Sequence, residues 1–357
     1  MVRKAGLEPA RLAALEPKSS ASTSSATFAW MGVAACKTGR FYSKKGTRFR
    51  VVRRFFAVIH RMDRLRDRDA PVKFSTMTPD QYCQQKALFS GSSFYYCILF
   101  LQPPRRSAMI ALQALCAELR EVASSNIDEN AARIKLAWWR TEIAALYRGD
   151  PQHLVTRALA PCLAPNGIAQ KLLDDIVDGM EMDLLQTRYL DFIALERYTA
   201  LTAGAAAECR VKICGAGSGT EPAYAQQLGQ ALALSNLIRS IGADARRGLV
   251  YLPVNEMQQF EVPVADILNA RYSENFTRLM QFQYARAQAC FDGALAALPK
   301  AERQAQRPNQ AMAAIARALL EEIRADGFRV LHQRTSLTPI RKLWLASKTH
   351  WGVHWRS

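Results

Sequence analysis

The 357-residue chain carries 48 Lys and Arg against 31 Asp and Glu, a formal net charge of +17. The excess is unevenly placed: residues 1–76 hold 17 of the basic and 5 of the acidic residues, a net of +12, which leaves +5 for the 281 residues from Met77 onward. A basic nucleic-acid-binding domain is thereby excluded for the body, so no nucleic-acid partner is expected, and a hydrophobic content of 49% excludes global disorder.

The segment 1–76 has no sustained helical period; it is rich in Ser, Thr and Ala from Ser19 to Thr27 and basic from Lys37 to Arg68. Three readings compete. It is a nucleic-acid-binding arm, an Arg-rich and acid-poor organellar presequence, or an upstream extension of a frame that starts at Met77. The stretch from Ala5 to Thr23 resembles the conceptual translation of a transfer-RNA gene, which favours the third. The expected location is cytoplasmic, peripheral on the inner membrane face if membrane-associated, and mitochondrial only if residues 1–76 are a real presequence.

From Met77 the punctuation is helical. Thr78-Pro79-Asp80 gives a cap, a proline at the first helical position and an acid in the first turn. Pro103-Pro104 opens a segment to Ser125, and Gly149-Asp150-Pro151 closes one beginning near Asp128. Further helices are predicted over 167–187, 221–248, 273–298 and 307–328. Leu173, Ile176, Val177, Met180 and Leu184 recur at helical spacing, and no period-two alternation competes. The fold class is all-α: one helical bundle over 77–346 with a central apolar cavity, followed by a basic aromatic tail over 347–357. The eight cysteines include no C-x-x-C pair, so neither a zinc site nor a disulfide scaffold is expected and a reducing compartment fits. The apolar run at 94–101 falls short of the ~20 residues that span a bilayer.

Several motifs share one resemblance. Ser92-Ser93-Phe94-Tyr95-Tyr96, Lys135 to Arg140, Gly179 to Leu184, Arg188-Tyr189, Asn236 to Arg239, Asp244 to Gly248, Tyr251 to Pro253 and Asp326 to Gln333 resemble, in order, the bacterial squalene/phytoene synthase family, and most of all its presqualene diphosphate synthases. The likeness covers residues 77–346. It implies head-to-head joining of two farnesyl diphosphates: one loses diphosphate to give an allylic cation, and the double bond of the other attacks it. Such chemistry needs Mg²⁺ to neutralise the leaving group, and carboxylates on facing helices to hold the metal. The resemblance assigns catalytic roles to Tyr198, Asn236, Arg239 and Asp244, and substrate contacts to Ser93, Tyr96, Arg246 and Arg247. It implies a prenyl diphosphate or related lipid as partner and Mg²⁺ as cofactor if the chain is active.

The departures fall on the same chemistry. The first motif of the family has an arginine and then two aspartates four residues apart; the matching positions are Ala117, Arg120 and Ser124, with Glu121 the acid left between them. In the second motif Ala233, Ser240 and Ala243 replace a glutamine, an aspartate and an acid, while Asn236, Arg239 and Asp244 remain. Ala316 stands at a cavity tyrosine. The expected metal donors shrink to Asp244, Asn236 and, weakly, Glu121. Two functions follow: an impaired prenyltransferase, or a catalytically inactive member that binds a lipid or acts in assembly.

Three further features have structural readings. Asp174 and Asp178 share a helical face in a prenyl-diphosphate-like pattern, yet the apolar stripe lies opposite them, which predicts a solvated acidic face. Trp138 and Trp139 are expected to pack rather than shelter a cation. Arg341, Lys342, Trp344, Lys348, Trp351, Trp355 and Arg356 mix cations with tryptophans as a peripheral membrane contact would, or as a plain solvated tail does.

Overall fold

The computed structural model describes residues 77–88, 92–124, 128–215 and 221–352, with the backbone of 33–35 and 41–43. The chain divides into two compact units, Met1–Pro71 and Val72–Ser357. Within the first, Val33–Ala35 and Phe41–Ser43 form an antiparallel pair with Val33 opposite Ser43. The three readings of 1–76 lie outside the described residues, as do Trp355 and Arg356.

In the second unit the helices begin where capping chemistry starts them. Helix α1 (Pro79–Ala87) opens on a reciprocal capping box: Gln81 N–H donates to Thr78 Oγ1 at 3.3 Å, and Thr78 N–H donates to Gln81 Oε1 at 3.0 Å. Short α2 (Ser93–Ile98) leads to α3 (Pro103–Ser124). Helix α4 (Glu129–Arg148) is capped by Asp128 and stopped by Gly149 at φ +88°. Then follow α5 (Leu154–Leu163), α6 (Gln170–Leu185), α7 (Phe192–Thr199) and α8 (Ala205–Cys214), the last two joined by a π-helical turn, Ala200–Gly204. The chain continues through α9 (Glu221–Ala245), α10 (Val254–Gln259), α11 (Val264–Leu268), α12 (Glu274–Ala297), α13 (Arg307–Ala325) and α14 (Pro339–Trp351).

The six long helices fall within three residues of their predicted limits. Helices α2, α5, α7, α8, α10, α11 and α14 have no counterpart in the reading of the sequence. Helix α14 also corrects the tail: residues 347–351 belong to it, and His350 stacks on Phe100 with ring centroids 4.3 Å apart.

Leu112, Leu115 and Leu119 on α3, Leu136 and Ile143 on α4, and Leu173 and Ile176 on α6 are enclosed in one core cluster. Each such side chain contributes about 1.5–3 kcal/mol relative to exposure. Helix α9 packs against α8, α12, α13 and the π turn. It approaches the turn closely because two glycines meet: a Cβ on Gly229 would lie 2.6 Å from Gly204 Cα. Seven described cysteines are free thiols, five of them buried.

One buried acid organises the α4–α5 connection. Glu142, 4% exposed, accepts from Gln152 N–H and His153 N–H at 2.8 Å each and from Thr156 Oγ1 at 2.5 Å. Removing it takes the acceptor from two part-buried amides and from the buried Thr156 hydroxyl. Glu142→Ala is expected to lower unfolding free energy by about 3 kcal/mol, measured by urea denaturation; a change below about 0.5 kcal/mol would contradict this role.

Candidate functional site

Two links in the chain bring the site together. Residues 187–190, after α6, run beside 250–255: Val250 N–H donates to Thr187 C=O at 3.1 Å, and Val254 N–H to Tyr189 C=O at 2.9 Å. The Arg188-Tyr189 and Tyr251-Leu-Pro253 motifs are thus one paired unit. It places Tyr189 and Tyr251 against Tyr198, with ring centroids 5.5–5.9 Å apart.

Asp183, near the end of α6, sits against these rings. It accepts a short hydrogen bond from Tyr251 Oη and a second from Tyr198. Burial pushes its carboxyl above the usual range, opposed by the two tyrosines and by Arg247, and reinforced by Asp244. Burial likewise raises the Tyr198 and Tyr251 phenols. Asp183 belongs to the Gly179–Leu184 motif, which alone assigns it no role. Its spacing holds the missing signal, because it stands seven residues after Ile176 and three after Met180, on the buried face of α6.

On α9, Ser240 Oγ donates to Asp244 Oδ2 at 2.5 Å, and Arg247 lies 3.9 Å from Asp244 Oδ1. Burial raises the Asp244 carboxyl, while the Ser240 hydrogen bond, Arg247 and Arg334 oppose the shift. The helix ends immediately beyond, as Leu249 N–H reaches back to Asp244 C=O at 3.0 Å and Gly248 turns at φ +78°. Arg246 and Arg247 are exposed on that turn, and Arg246 donates to Leu331 C=O at 3.3 Å.

Other residues assigned from the sequence stand apart from this cluster. Asn236 is exposed, about 12 Å along α9 from Asp244, and its Oδ1 accepts from Arg239 at 2.7 Å. Arg239 is pushed down to about 10 by burial and by Arg334, and its Nε is buried without a partner. Glu121 is exposed and paired with Lys86 at 2.5 Å. Asp244, Asn236 and Glu121, the expected metal donors, are each engaged with a different partner: Ser240, Arg239 and Lys86. Ser93 and Tyr96 lie on α2, which packs against α13 and α14; Ser93 C=O accepts from Cys97 Sγ, and buried Tyr96 meets Tyr95 edge-on at 5.4 Å.

The acidic face of α6 is accounted for by ion pairing. Arg140 bridges Asp178 and Glu181, Lys171 holds Asp175 at 2.7 Å, and Gln170 donates to Asp174 at 3.2 Å. Trp139 is buried, edge-on to His153 at 4.9 Å, while Trp138 is 46% exposed. The apolar pocket beside Asp244, lined by Leu195, Ile238, Ile241 and Tyr251, holds only about 20 Å³, room for about one water. The interior expected to admit a long apolar ligand is closed here by branched side chains.

Residues 90–341 match the squalene/phytoene synthase family. The chain belongs to that family. Among curated relatives it is 28% identical to phytoene synthase 1 of Arabidopsis thaliana over 73% of this chain and 63% of that protein, so it spans under two thirds of that relative's length. It is 28% identical to 15-cis-phytoene synthase of Synechococcus elongatus over 73% of this chain and 89% of that one. Among solved structures, squalene synthase HpnC from Alicyclobacillus acidocaldarius superposes with a TM-score of 0.63 at 21% identity, covering 70% of this chain and 94% of that one. A ligand complex of a dehydrosqualene synthase gives 0.67 at 20% identity, covering 77% and 96%.

Squalene/phytoene synthases work on prenyl diphosphates with Mg²⁺. The residues present do not fit that metal set. Among the described residues no three His, Cys, Asp or Glu side chains converge, and Arg120 and Ser124, which stand at the positions of the family's first pair of aspartates, are both exposed. Arg120 instead acts electrostatically on Tyr198. What the site can do is stabilise positive charge, through its tyrosine cluster and two part-buried carboxyls.

Asp183 also makes a pH-dependent prediction. Its folded pKa is raised, so the stability it contributes is fully present below its unfolded pKa, about 3.9, and is lost as pH rises through the folded value. Asp183→Asn, neutral throughout, is expected to gain in Tm relative to the parent between pH 4 and pH 7. A difference that shrinks over that range would contradict it.

Proposed function

We propose that this family member is of the presqualene diphosphate synthase type, holds a prenyl diphosphate, and has lost most of the family's ionisation chemistry. The observation that carries the proposal is the asymmetry of the site. Asp183 and the stacked rings of Tyr189, Tyr198 and Tyr251 form an intact acidic and aromatic cluster, while Arg120 and Ser124 stand where the family carries aspartates, and Ser240 occupies Asp244.

In the reaction implied, the C–O bond to diphosphate breaks and the electron pair leaves with the phosphate. A carbon–carbon bond then forms from the second molecule's double bond, and ring closure to the cyclopropane releases a proton. Arg247 and Arg246, exposed beside Asp244, supply donors to phosphate oxygens, and the stacked tyrosines turn their faces to developing positive charge. Arg120 adds one fixed cation. Three guanidinium groups bind the anion in ground and transition states alike, which favours retention over departure.

The contracted pocket of about 20 Å³ favours a second reading: a non-catalytic protein that uses the bundle to bind lipid or an assembly partner. Peripheral membrane contact through α14 belongs to either reading, since Ile340 and Trp344 are exposed at 54% and 43% and Lys348 lies over the Trp344 ring at 5.2 Å. Equilibrium binding of a fluorescent farnesyl diphosphate analogue separates the two. The proposal expects micromolar binding that weakens about tenfold in Arg247→Ala; no binding at 100 µM supports the second reading.

A further inference from the structure

A second pocket has a lining of its own. It measures about 480 Å³ and opens between the α2–α3 turn, the start of α13 and the end of α14. Its lining shares no residue with that of the small pocket beside Asp244.

Its lining is amphiphilic. Phe100, Leu101 and Pro308 give apolar contact, Arg105 and Arg307 supply charge, and no acidic residue lines it. No ion pair within 4.0 Å engages either arginine among the described residues, and Arg307 together with burial holds the lining His350 imidazole below its ordinary pKa. Helix α13, 19 residues long, begins at Arg307 with no side-chain cap.

Near Arg105 the chain carries buried polar groups that lack partners. Arg105 Nη2 lies so close to Gly215 that a Cβ there would be 2.8 Å away. Next to Gly215, Cys214 accepts from Asn309 Nδ2 at 3.8 Å. Tyr224, 3% exposed, interacts electrostatically with Cys214 and Arg210, and both Tyr224 Oη and Arg210 Nε are buried without a hydrogen-bond partner. Asn309 Oδ1 is a third orphan, an acceptor that a water or a protonated phosphate oxygen would satisfy. Such groups normally have partners; none of the three lines the pocket itself.

We propose that this pocket binds a phosphorylated amphiphile, with the phosphate between Arg105, Arg307 and the α13 N-terminus and the apolar part on Phe100, Leu101 and Pro308. Two guanidinium forks match a dianionic phosphate monoester better than a single carboxylate. The head recognised is a phosphate; whether it comes from a lipid or from free phosphate is decided by the arms of the test.

Calorimetric titration of the full chain in EDTA, with farnesyl monophosphate and separately with inorganic phosphate, tests it. Farnesyl monophosphate is expected to bind, and Arg105→Gln with Arg307→Gln to weaken it at least tenfold with an unchanged unliganded Tm. Phosphate binding as tightly as farnesyl monophosphate would assign a head-only site and overturn the amphiphile. Equal affinity in parent and double variant, or no binding to either, would overturn the pocket altogether. If the variant unfolds, a photoreactive farnesyl monophosphate on the parent decides: labelling within 97–105 and 301–311 supports the site, and labelling confined to 234–252 refutes it.

Discussion

A chain carrying Ala117→Arg, Arg120→Asp, Ser124→Asp and Ser240→Asp is expected to consume farnesyl diphosphate, with Mg²⁺, at least about 10²-fold faster than the unmodified chain. The first three changes fall on α3, where Arg120 and Ser124 are exposed and four residues apart, so new carboxylates there share one face at little cost in packing. The fourth exchanges a hydroxyl that donates to Asp244 at 2.5 Å for a second acid, which ends the Ser240–Asp244 hydrogen bond. Without cation, the Ser240→Asp change sets two carboxylates against each other and should lower stability; with Mg²⁺ the loss should reverse. Each restored stabiliser of the departing diphosphate contributes about 10²- to 10³-fold in comparable sites, though groups that act together are not additive. Product analysis by radiolabel checks the rate, and unaltered turnover in the restored chain would count against the eroded-wall explanation.

Gly242→Ala is expected to cost about 3 kcal/mol, near the upper end for overpacking. Gly242 lies on α9 two residues before Asp244, and a Cβ there would be 2.0 Å from Leu331 C=O and 2.5 Å from its carbonyl carbon. The obstacle is backbone, so no rotamer change relieves it. The segment is fixed from elsewhere too, by Tyr272 Oη accepting from Leu331 N–H at 3.0 Å and by Arg246 donating to Leu331 C=O. Relief must come from moving the end of α9, and with it Asp244 and Arg247. Chemical denaturation should therefore show a large loss together with weaker prenyl diphosphate binding. A loss below about 1 kcal/mol would mean that this crossing is looser than the geometry shows.

The long helices were legible because capping and periodicity act locally. Thr78, Asp128 and Ser273 each accept from the first-turn amides that their position predicts. Helices α5, α7 and α8 were not, because they are short and the π turn at Ala200–Gly204 interrupts the period between the last two. In the site, Tyr198 and Asp244 were legible through resemblance. Asp183, Tyr189 and Tyr251 needed the pairing of 187–190 with 250–255, a contact between segments some 60 residues apart that no local pattern encodes. For Asn236 and Glu121 the converse holds: sequence proximity to a motif does not say which cation a side chain meets, and they are held by Arg239 and Lys86.

The central claim is that the site kept its shelter for positive charge and lost the means to expel diphosphate. Diphosphate release from farnesyl diphosphate by the unmodified chain under single-turnover conditions with saturating Mg²⁺ measures that step alone. The account predicts release at least about 10²-fold slower than from the restored chain. Release at a rate equal to that of the restored chain would contradict it.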